Sequence, residues 1–329
     1  MTAAPNATAR GPHFREPQTF AGPSRLARYA SLVKLPHTVF ALPFALVGVV
    51  LASYAHPVTA RQVALVVAAF TCARFAAMAF NRLVDRDLDA VNPRTASREI
   101  PSGALGVREA RAAVFAAALL FALAAWALNP LCGWLSPVAL LWVLGYSYAK
   151  RVTRWSHLVL GLGLGIAPVG GYLAVAGAWS EPWWLLCALS LAVTTWVGGF
   201  DIFYALQDEQ FDRAHGLRSV PAAMGQRGAI WVARALHLAT VLLLFLVDRA
   251  ARTPPAAFGA LGNVSWLFVG AAVVGALLLW EHRLVRPGDL SRLDAAFFTM
   301  NGVISIAYFT CALVGRLTVL PSVVTYTLP

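Results

Sequence analysis

Apolar residues in this chain form long, nearly uninterrupted blocks that are separated by short polar segments or by proline and glycine. Each block is roughly 20 residues long, the length that an α-helix needs to cross about 30 Å of hydrocarbon. Helices are expected because lipid offers no hydrogen-bond partner to backbone groups. The pattern predicts nine transmembrane helices, at residues 37–55, 62–81, 112–128, 131–149, 156–177, 183–206, 228–247, 262–281 and 295–315.

Composition supports an all-α integral membrane fold. Of the 329 residues, 59% are hydrophobic and only 12% are charged, whereas soluble domains are about half apolar and about a quarter charged. The four cysteines each lie inside an apolar block without a CxxC pair, so we predict buried thiols. Residues 1–30 are rich in Pro, Ala and Arg and lack the apolar core of a cleavable signal, which predicts a disordered basic cytoplasmic arm before a transmembrane domain at 31–329.

The positive charges indicate how the chain is oriented. Twenty of the 26 Lys and Arg residues lie on the amino-terminal side of the predicted spans and four on the opposite side. The positive-inside rule therefore places the amino terminus and the even-numbered connections in the cytoplasm, in a multi-pass protein of the cell inner membrane. The net charge of +11 is explained by this orientation. We expect the lipid bilayer as a partner, no nucleic acid and no obligate protein partner.

Carboxylates are concentrated in the cytoplasmic connections that follow the second and sixth predicted spans. The stretch NRLVDRDLD spaces Asn81, Asp85 and Asp89 four residues apart, so a continuing helix stacks them on one face. The stretch DIFYALQDEQFD spaces Asp208 and Asp212 in the same way. Asp85 and Asp208 are 123 residues apart, as are Asp89 and Asp212, which predicts two pseudo-repeats.

Two such helix faces that meet would form a box of oxygen ligands. Like charges this close require a cation between them, and oxygen ligands without Cys or a His pair favour Mg²⁺. Because Mg²⁺ held by few carboxylates completes its shell with water and phosphate, a diphosphate substrate is implied. Basic residues surround the motifs and can bind phosphate oxygens: Arg82, Arg86, Arg94, Arg98, Lys150, Arg151, Arg213 and Arg218.

Arg74 lies inside the second predicted span, two turns before Asn81, so it points into the same cavity but deeper. A charge within a span usually faces a polar interior, where a guanidinium can bind a carboxylate. The alternative is an internal ion pair with Asp201, which lies two turns before Asp208. The glycine-rich stretch at 161–172 predicts close helix packing. Three isolated histidines are expected to serve packing: His37, His157 and His237.

The stretches NRLVDRDLDAVNPRTASREIPSG and DIFYALQDEQFDRAHGLRSVPAAMG resemble the paired aspartate motifs of UbiA-type intramembrane prenyltransferases. The resemblance covers nearly the whole chain, including the YSYAKR segment. It implies nine helices around a cavity that is open laterally to lipid and capped by the loops after helices two and six. It also implies Mg²⁺ and diphosphate ligands at Asn81, Asp85, Asp89, Asp208 and Asp212, and phosphate-binding roles for Arg98, Lys150 and Arg151. We further predict that Tyr204 and Arg218 bind substrate.

The second motif is most similar to 4-hydroxybenzoate polyprenyltransferases and to naphthoate prenyltransferases of the futalosine route to menaquinone. The resemblance implies transfer of a polyprenyl group from polyprenyl diphosphate to 4-hydroxybenzoate or 1,4-dihydroxy-6-naphthoate, in ubiquinone or menaquinone biosynthesis. Arg74 would anchor the acceptor carboxylate, and Asp201 is a candidate for proton removal. Two alternatives stay open. Haem O or chlorophyll type transfer would not need Arg74, and a secondary transporter predicts coupling residues near the bilayer midplane.

Overall fold

A computed structural model of the protein describes residues 24–33, 35–252, 260–261, 264–285, 287–290, 292–293 and 299–318. Within these ranges the helices are joined by turns and short connections, and the β-strands are those of one antiparallel hairpin, β1 Ala260–Leu261 and β2 Val264–Ser265. The α-helices are α1 Arg25–Leu32, α2 Leu35–Ala52, α3 Ala60–Val84, α4 Arg86–Val91, α5 Val107–Leu128, α6 Pro130–Gly145, α7 Ala149–Val152, α8 Ser156–Ala176, α9 Trp184–Ala205, α10 Glu209–Ala214, α11 Val220–Ala251, α12 Trp266–Leu284 and α13 Asn301–Thr318. Short 3₁₀ turns, Tyr146–Tyr148 and Leu206–Asp208, precede α7 and α10.

Each predicted span overlaps one long helix of the described ranges, namely α2, α3, α5, α6, α8, α9, α11, α12 or α13. In the part of the chain that the structure describes, eight helices are long and apolar enough to cross a membrane. The remaining one, α2, contains the shorter apolar stretch Ala41–Ala52. The protein is therefore a multi-pass helical membrane protein. Its four cysteines are free thiols but only half-buried, so the prediction of buried thiols is only partly met.

The largest difference from the predicted boundaries is at α11, which begins at Val220 rather than at 228. The side chain of Ser219 caps this helix by accepting a hydrogen bond from the backbone N–H of Ala222. Pro221 occupies the first turn, where its missing N–H costs nothing. Gly225 then interrupts the helix with φ of 69°, a conformation that favours glycine. The first turn of α11 is thus a separate segment next to α10.

The predicted close packing at the glycine-rich stretch is confirmed, because α8 lies directly against α2 and α9. A Cβ atom on Gly161 would collide with the backbone carbonyl of Thr194, and one on Gly171 would collide with that of Ala45. Missing side chains at these positions let the backbones approach closely, as is common between helices in membranes. The main core lies beside this contact and includes the fully buried Trp196.

The folded part of the chain begins earlier than predicted. The predicted disordered arm extended to residue 30, but Arg25–Leu32 forms α1. Tyr29 donates a hydrogen bond of 2.9 Å to Oε1 of Glu109, and Arg28 donates one of 3.0 Å to the carbonyl of Ala104. These contacts fix α1 beside α5. Residues 1–23 lie outside the described ranges.

The two acidic motifs have matching backbone conformations. Each carries an aspartate at a break between helices, with φ and ψ of −94° and 3° at Asp85 and −99° and 5° at Asp208. Each is followed by a six-residue helix, α4 or α10, and these start 209 − 86 = 123 residues apart. The predicted continuous helix is therefore wrong. Its register persists, however, because the amide of Asp85 bonds to Asn81 O at 2.9 Å and that of Asp89 to Asp85 O at 2.7 Å.

Candidate active site

A polar cavity of about 180 Å³ lies at the end of the bundle where α3 and α9 end. We call it the polar pocket. Its lining includes every acid and the amide that the sequence singled out: Asn81, Asp85, Asp89, Asp201, Asp208 and Asp212. The two acidic motifs, although 123 residues apart, therefore converge on one site.

The carboxylates of the first motif are held by arginines from later segments. Arg151 donates a hydrogen bond of 2.9 Å to Oδ1 of Asp85, whose Oδ2 accepts one of 3.0 Å from Asn81. Arg98, in the connection after α4, donates a hydrogen bond of 2.7 Å to Oδ1 of Asp89. These charge-assisted bonds hold both aspartates in place and neutralise them in part.

The second motif is bound to the connection after the first. Arg94 donates to both carboxylate oxygens of Asp208, at 2.9 Å from Nε and 2.5 Å from a terminal nitrogen, and Asn92 adds a bond of 3.2 Å. Arg94 also donates a bond of 2.9 Å to the hydroxyl of Tyr204. Burial by itself lowers the pKa of Arg94, but Tyr204 and Asp208 outweigh burial and raise the pKa above its ordinary value. Arg94 thus stays charged and links the connection after the first motif to Asp208 of the second motif.

Two further acids of the polar pocket have other partners. Asp212 is buried next to Lys150 and Ser219. Asp201 makes a hydrogen bond of 2.6 Å, between its Oδ2 and Nδ1 of His157. His157 is therefore not an isolated packing residue, as the sequence suggested, but a member of the site. His37 lies outside the residues whose side chains are described.

Several buried polar atoms of the polar pocket have no hydrogen-bond partner within the described part of the chain. They are Nε of Arg74, Nε of Arg82, Oδ2 of Asp89, Oγ of Ser147 and Oγ of Ser156. Buried polar groups are nearly always paired in folded proteins, by protein or by a bound molecule. Five unpaired atoms around one cavity therefore indicate a site that is built for a charged or strongly polar ligand.

Arg74 lies where the polar pocket meets a second cavity. This apolar chamber, of about 280 Å³, is lined mainly by residues 66–77, 121–128, 132–143 and 160–173. Arg74, Tyr146 and two leucines line both cavities. The predicted alternative of an Arg74–Asp201 ion pair is not found in the described part of the chain, because Asp201 binds His157 instead. Arg74 is thus available at the junction.

Not every predicted residue lines the polar pocket. Arg218 is exposed, and its guanidinium donates a hydrogen bond of 2.7 Å to the carbonyl of Val152 outside the pocket. Arg151 does not line the polar pocket, but it donates hydrogen bonds to two residues that do, Asp85 and Ser147. Asp87 is exposed beside Arg86 and does not line the polar pocket.

The donor chemistry of the polar pocket fits Mg²⁺ with diphosphate. Among the described residues, no three His, Cys, Asp or Glu side chains are grouped closely enough to hold a metal ion by themselves. Mg²⁺ does not need such a cage, because it is usually bound by one or two carboxylates with water and substrate phosphate. The unpartnered Oδ2 of Asp89 and the other motif oxygens provide suitable hard ligands.

Sequence reasoning missed seven polar residues of the polar pocket: Asn92, Thr95, Tyr146, Ser147, Ser156, His157 and Ser219. Tyr146 lies one helical turn before Lys150, a spacing that could have drawn attention to it. Asn92 follows the last acid of the first motif by three residues. No sequence signal identified His157, because its partner Asp201 is 44 residues away.

The profile of the UbiA prenyltransferase family matches residues 41–303. The chain belongs to this family. The match covers both acidic motifs, seven of the nine long helices completely, most of α2 and the first three residues of α13. Membership of this family supports prenyl-transferase activity over the transporter alternative.

Similar proteins include a relative with a named activity and two solved structures. A protein of Aromatoleum aromaticum named 4-hydroxybenzoate octaprenyltransferase is 30% identical over 236 residues, which are 71% of this chain and 75% of that protein. The apo structure of a UbiA homologue from Aeropyrum pernix K1 is 34% identical, with a TM-score of 0.74 over 84% of this chain and 97% of that one. A UbiA homologue from Archaeoglobus fulgidus, solved with DMAPP and Mg²⁺, is 19% identical, with a TM-score of 0.68 over 89% of this chain and 100% of that one. At this identity the similarity supports the fold alone.

Proposed function

We propose that this UbiA-family protein transfers a polyprenyl group from a polyprenyl diphosphate to the ring of an aromatic acid, with release of diphosphate. The observation that carries this proposal is the joining of two unlike cavities at Arg74. A charged pocket suits the diphosphate, and an apolar chamber suits the prenyl chain. The name of the Aromatoleum aromaticum relative supports 4-hydroxybenzoate as the acceptor.

In the polar pocket, the residues that would hold Mg²⁺ and diphosphate come from both motifs: Asn81, Asp85, Asp89, Asp208 and Asp212. Bound Mg²⁺ would neutralise charge on the departing diphosphate. Arg98 and Lys150 lie beside these acids and would bind phosphate oxygens. Solved structures of the Archaeoglobus fulgidus homologue contain Mg²⁺ with DMAPP or GPP, the same kind of ligand pair that is proposed here.

The transfer step breaks the bond between C1 of the prenyl chain and its diphosphate oxygen, and the electron pair leaves with the diphosphate. A new carbon–carbon bond forms between C1 and the ring carbon beside the acceptor hydroxyl, and that carbon then loses its hydrogen as a proton. Arg74 would bind the acceptor carboxylate and so aim this carbon at C1. The gain comes from orientation, not from acid or base strength.

The apolar chamber would hold the prenyl chain beyond the reacting carbon. Its walls are helices of low polarity, and small residues such as Ala73, Ala77 and Gly163 leave it open near Arg74. Excluding water there protects an electrophilic C1 from hydrolysis. The amino terminus and the even-numbered connections carry 20 of the 26 Lys and Arg residues. By the positive-inside rule we therefore place the end of the bundle that holds the polar pocket at the cytoplasmic face of the inner membrane.

The test uses purified protein in lipid nanodiscs with MgCl₂ and a labelled prenyl diphosphate. 4-Hydroxybenzoate and 1,4-dihydroxy-6-naphthoate are offered separately, and phenol serves as an acceptor without a carboxylate. We expect a C-prenylated acid and one diphosphate per turnover, with 4-hydroxybenzoate as the better acceptor. No product from either acid, or equally fast reaction with phenol, would contradict the proposal.

A further inference from the structure

We propose that His157 is a positioning residue for Asp201, and that Asp201 accepts the hydroxyl proton of the aromatic acceptor. The proposal rests on the proposed function and adds a second element to its acceptor site. It concerns a pair that the sequence did not connect, because the two residues come from α8 and α9.

The hydrogen bonds around His157 define which nitrogen carries its proton. The ring is 1% exposed, and its Nε2 receives the backbone N–H of Val220 at 3.4 Å. Nε2 therefore acts as an acceptor, which leaves the proton of the neutral ring on Nδ1. Nδ1 donates this proton to Oδ2 of Asp201 over 2.6 Å. The bond fixes the carboxylate against rotation.

Asp201 differs from the arginine-held acids of the polar pocket. Its hydrogen-bond partner is an imidazole, whereas Asp85, Asp89 and Asp208 each bind a guanidinium. The side chain of Asp201 is 24% exposed, about twice the value of the most exposed of those three. Since Oδ2 is taken by His157 and the residue lines the polar pocket, Oδ1 is the oxygen that a ligand can reach.

The position of Asp201 suits an acceptor that is anchored at Arg74. Arg74, Tyr146 and Asp201 line the same polar pocket, and Arg74 and Tyr146 also line the apolar chamber. Arg74 and Asp201 nevertheless form no ion pair in the described part of the chain. A flat ring with a carboxylate at one end and a hydroxyl at the other can therefore lie between a cationic and an anionic side chain.

The proton balance of the step is complete without another reagent. The hydroxyl proton moves to Oδ1 of Asp201, and the resulting phenolate forms the bond from its ring carbon to C1 while diphosphate leaves with the electron pair. The product of this step is a dienone. It becomes aromatic when the ring carbon loses its proton to solvent and Asp201 returns a proton to the oxygen, so one proton and one diphosphate leave per turnover.

The experiment compares Asp201→Asn, His157→Phe and His157→Asn with the wild type in nanodiscs. Asparagine can place an N–H close to the Nδ1 position, whereas phenylalanine fills the space without a donor. We expect Asp201→Asn to lower kcat by roughly 10²-fold, a usual contribution of a general base. We expect His157→Phe to lower kcat by about tenfold and His157→Asn to retain most activity, since only the former loses a hydrogen bond to a charged group. The KM for prenyl diphosphate should not change.

A more acidic acceptor provides a second readout that a merely structural role would not change. With 3-fluoro-4-hydroxybenzoate, the losses in Asp201→Asn and His157→Phe should shrink, because the hydroxyl needs less help to ionise. Equal losses in both His157 variants, or a normal kcat in Asp201→Asn, would overturn this inference and leave the proposed function intact. Absence of product in the wild type with both acids would overturn the proposed function and this inference with it. If His157→Phe does not fold, the kcat values of Asp201→Asn and His157→Asn with both acceptors still test the inference: a normal kcat in Asp201→Asn, or a loss in His157→Asn as large as that in Asp201→Asn, would overturn it.

Discussion

Replacement of Arg74 by glutamine is the most informative single change for the choice of acceptor. Arg74 lines both cavities, and its Nε is buried without a hydrogen-bond partner in the described part of the chain. Glutamine keeps a polar side chain of similar shape but removes the charge and the paired donors. We expect the acceptor carboxylate to lose its anchor, while the diphosphate site is left unchanged.

The magnitude follows from the bond that is lost. A hydrogen bond to a charged group contributes about 1.5–3 kcal/mol, and about 1.4 kcal/mol corresponds to tenfold in affinity. Arg74→Gln should therefore raise the KM for 4-hydroxybenzoate by roughly 10- to 100-fold. Product formation is measured by chromatography while 4-hydroxybenzoate is varied at saturating prenyl diphosphate.

The chain offers a matched control for this measurement. Arg234 is the other arginine within a predicted span, but its guanidinium stacks on the ring of Trp231 at 4.7 Å and does not line the polar pocket. Arg234→Gln should leave both KM values unchanged. Phenol, which has no carboxylate, should react equally poorly with the wild type and Arg74→Gln. An unchanged KM for 4-hydroxybenzoate in Arg74→Gln would refute the anchor.

Three further predictions concern the ion pairs, the helix packing and the metal. Arg94→Leu leaves the buried Asp208 without its main partner and should lower the free energy of unfolding by about 3 kcal/mol. Arg86 pairs with the exposed Asp87, so Arg86→Leu should change the free energy of unfolding by less than about 0.5 kcal/mol. Thermal unfolding in detergent measures both changes. Gly171→Ala should abolish stable expression, because its Cβ collides with a facing carbonyl, while the neighbouring Gly170→Ala has open space and should express normally in a fluorescence size-exclusion assay. Removal of Mg²⁺ with EDTA should stop product formation, and added MgCl₂ should restore it. Undiminished turnover after complete chelation would contradict the metal assignment.

The long helices were predictable because the length of an apolar block is set by the thickness of the bilayer. Boundaries were less predictable where helices continue beyond the hydrocarbon. The early start of α11 depends on Ser219 and Pro221, local capping signals that lie outside the apolar block. Helix α1 was not predicted, because tertiary contacts such as the hydrogen bond of Tyr29 to Glu109, and not an apolar block, hold it in place.

The acids of the site were predictable because regular spacing on helices places them on one face. Their arginine partners were predictable only as a group, since the pairing of Arg94 with Asp208 joins residues 114 positions apart. The link between His157 and Asp201 has the same origin in tertiary structure. Arg218 shows the opposite case, because its place beside the second motif suggested the site although its side chain donates a hydrogen bond to the carbonyl of Val152 outside the pocket.

The central claim is that both acidic motifs act on one diphosphate, and a single set of turnover assays tests it directly. Asp85→Asn and Asp208→Asn change one acid in each motif, and Asp87→Asn changes an exposed acid between Asp85 and Asp89. With Mg²⁺, a labelled prenyl diphosphate and 4-hydroxybenzoate, either of the first two changes alone should abolish product, and Asp87→Asn should retain wild-type turnover. Normal turnover in Asp85→Asn or in Asp208→Asn would contradict a shared diphosphate site.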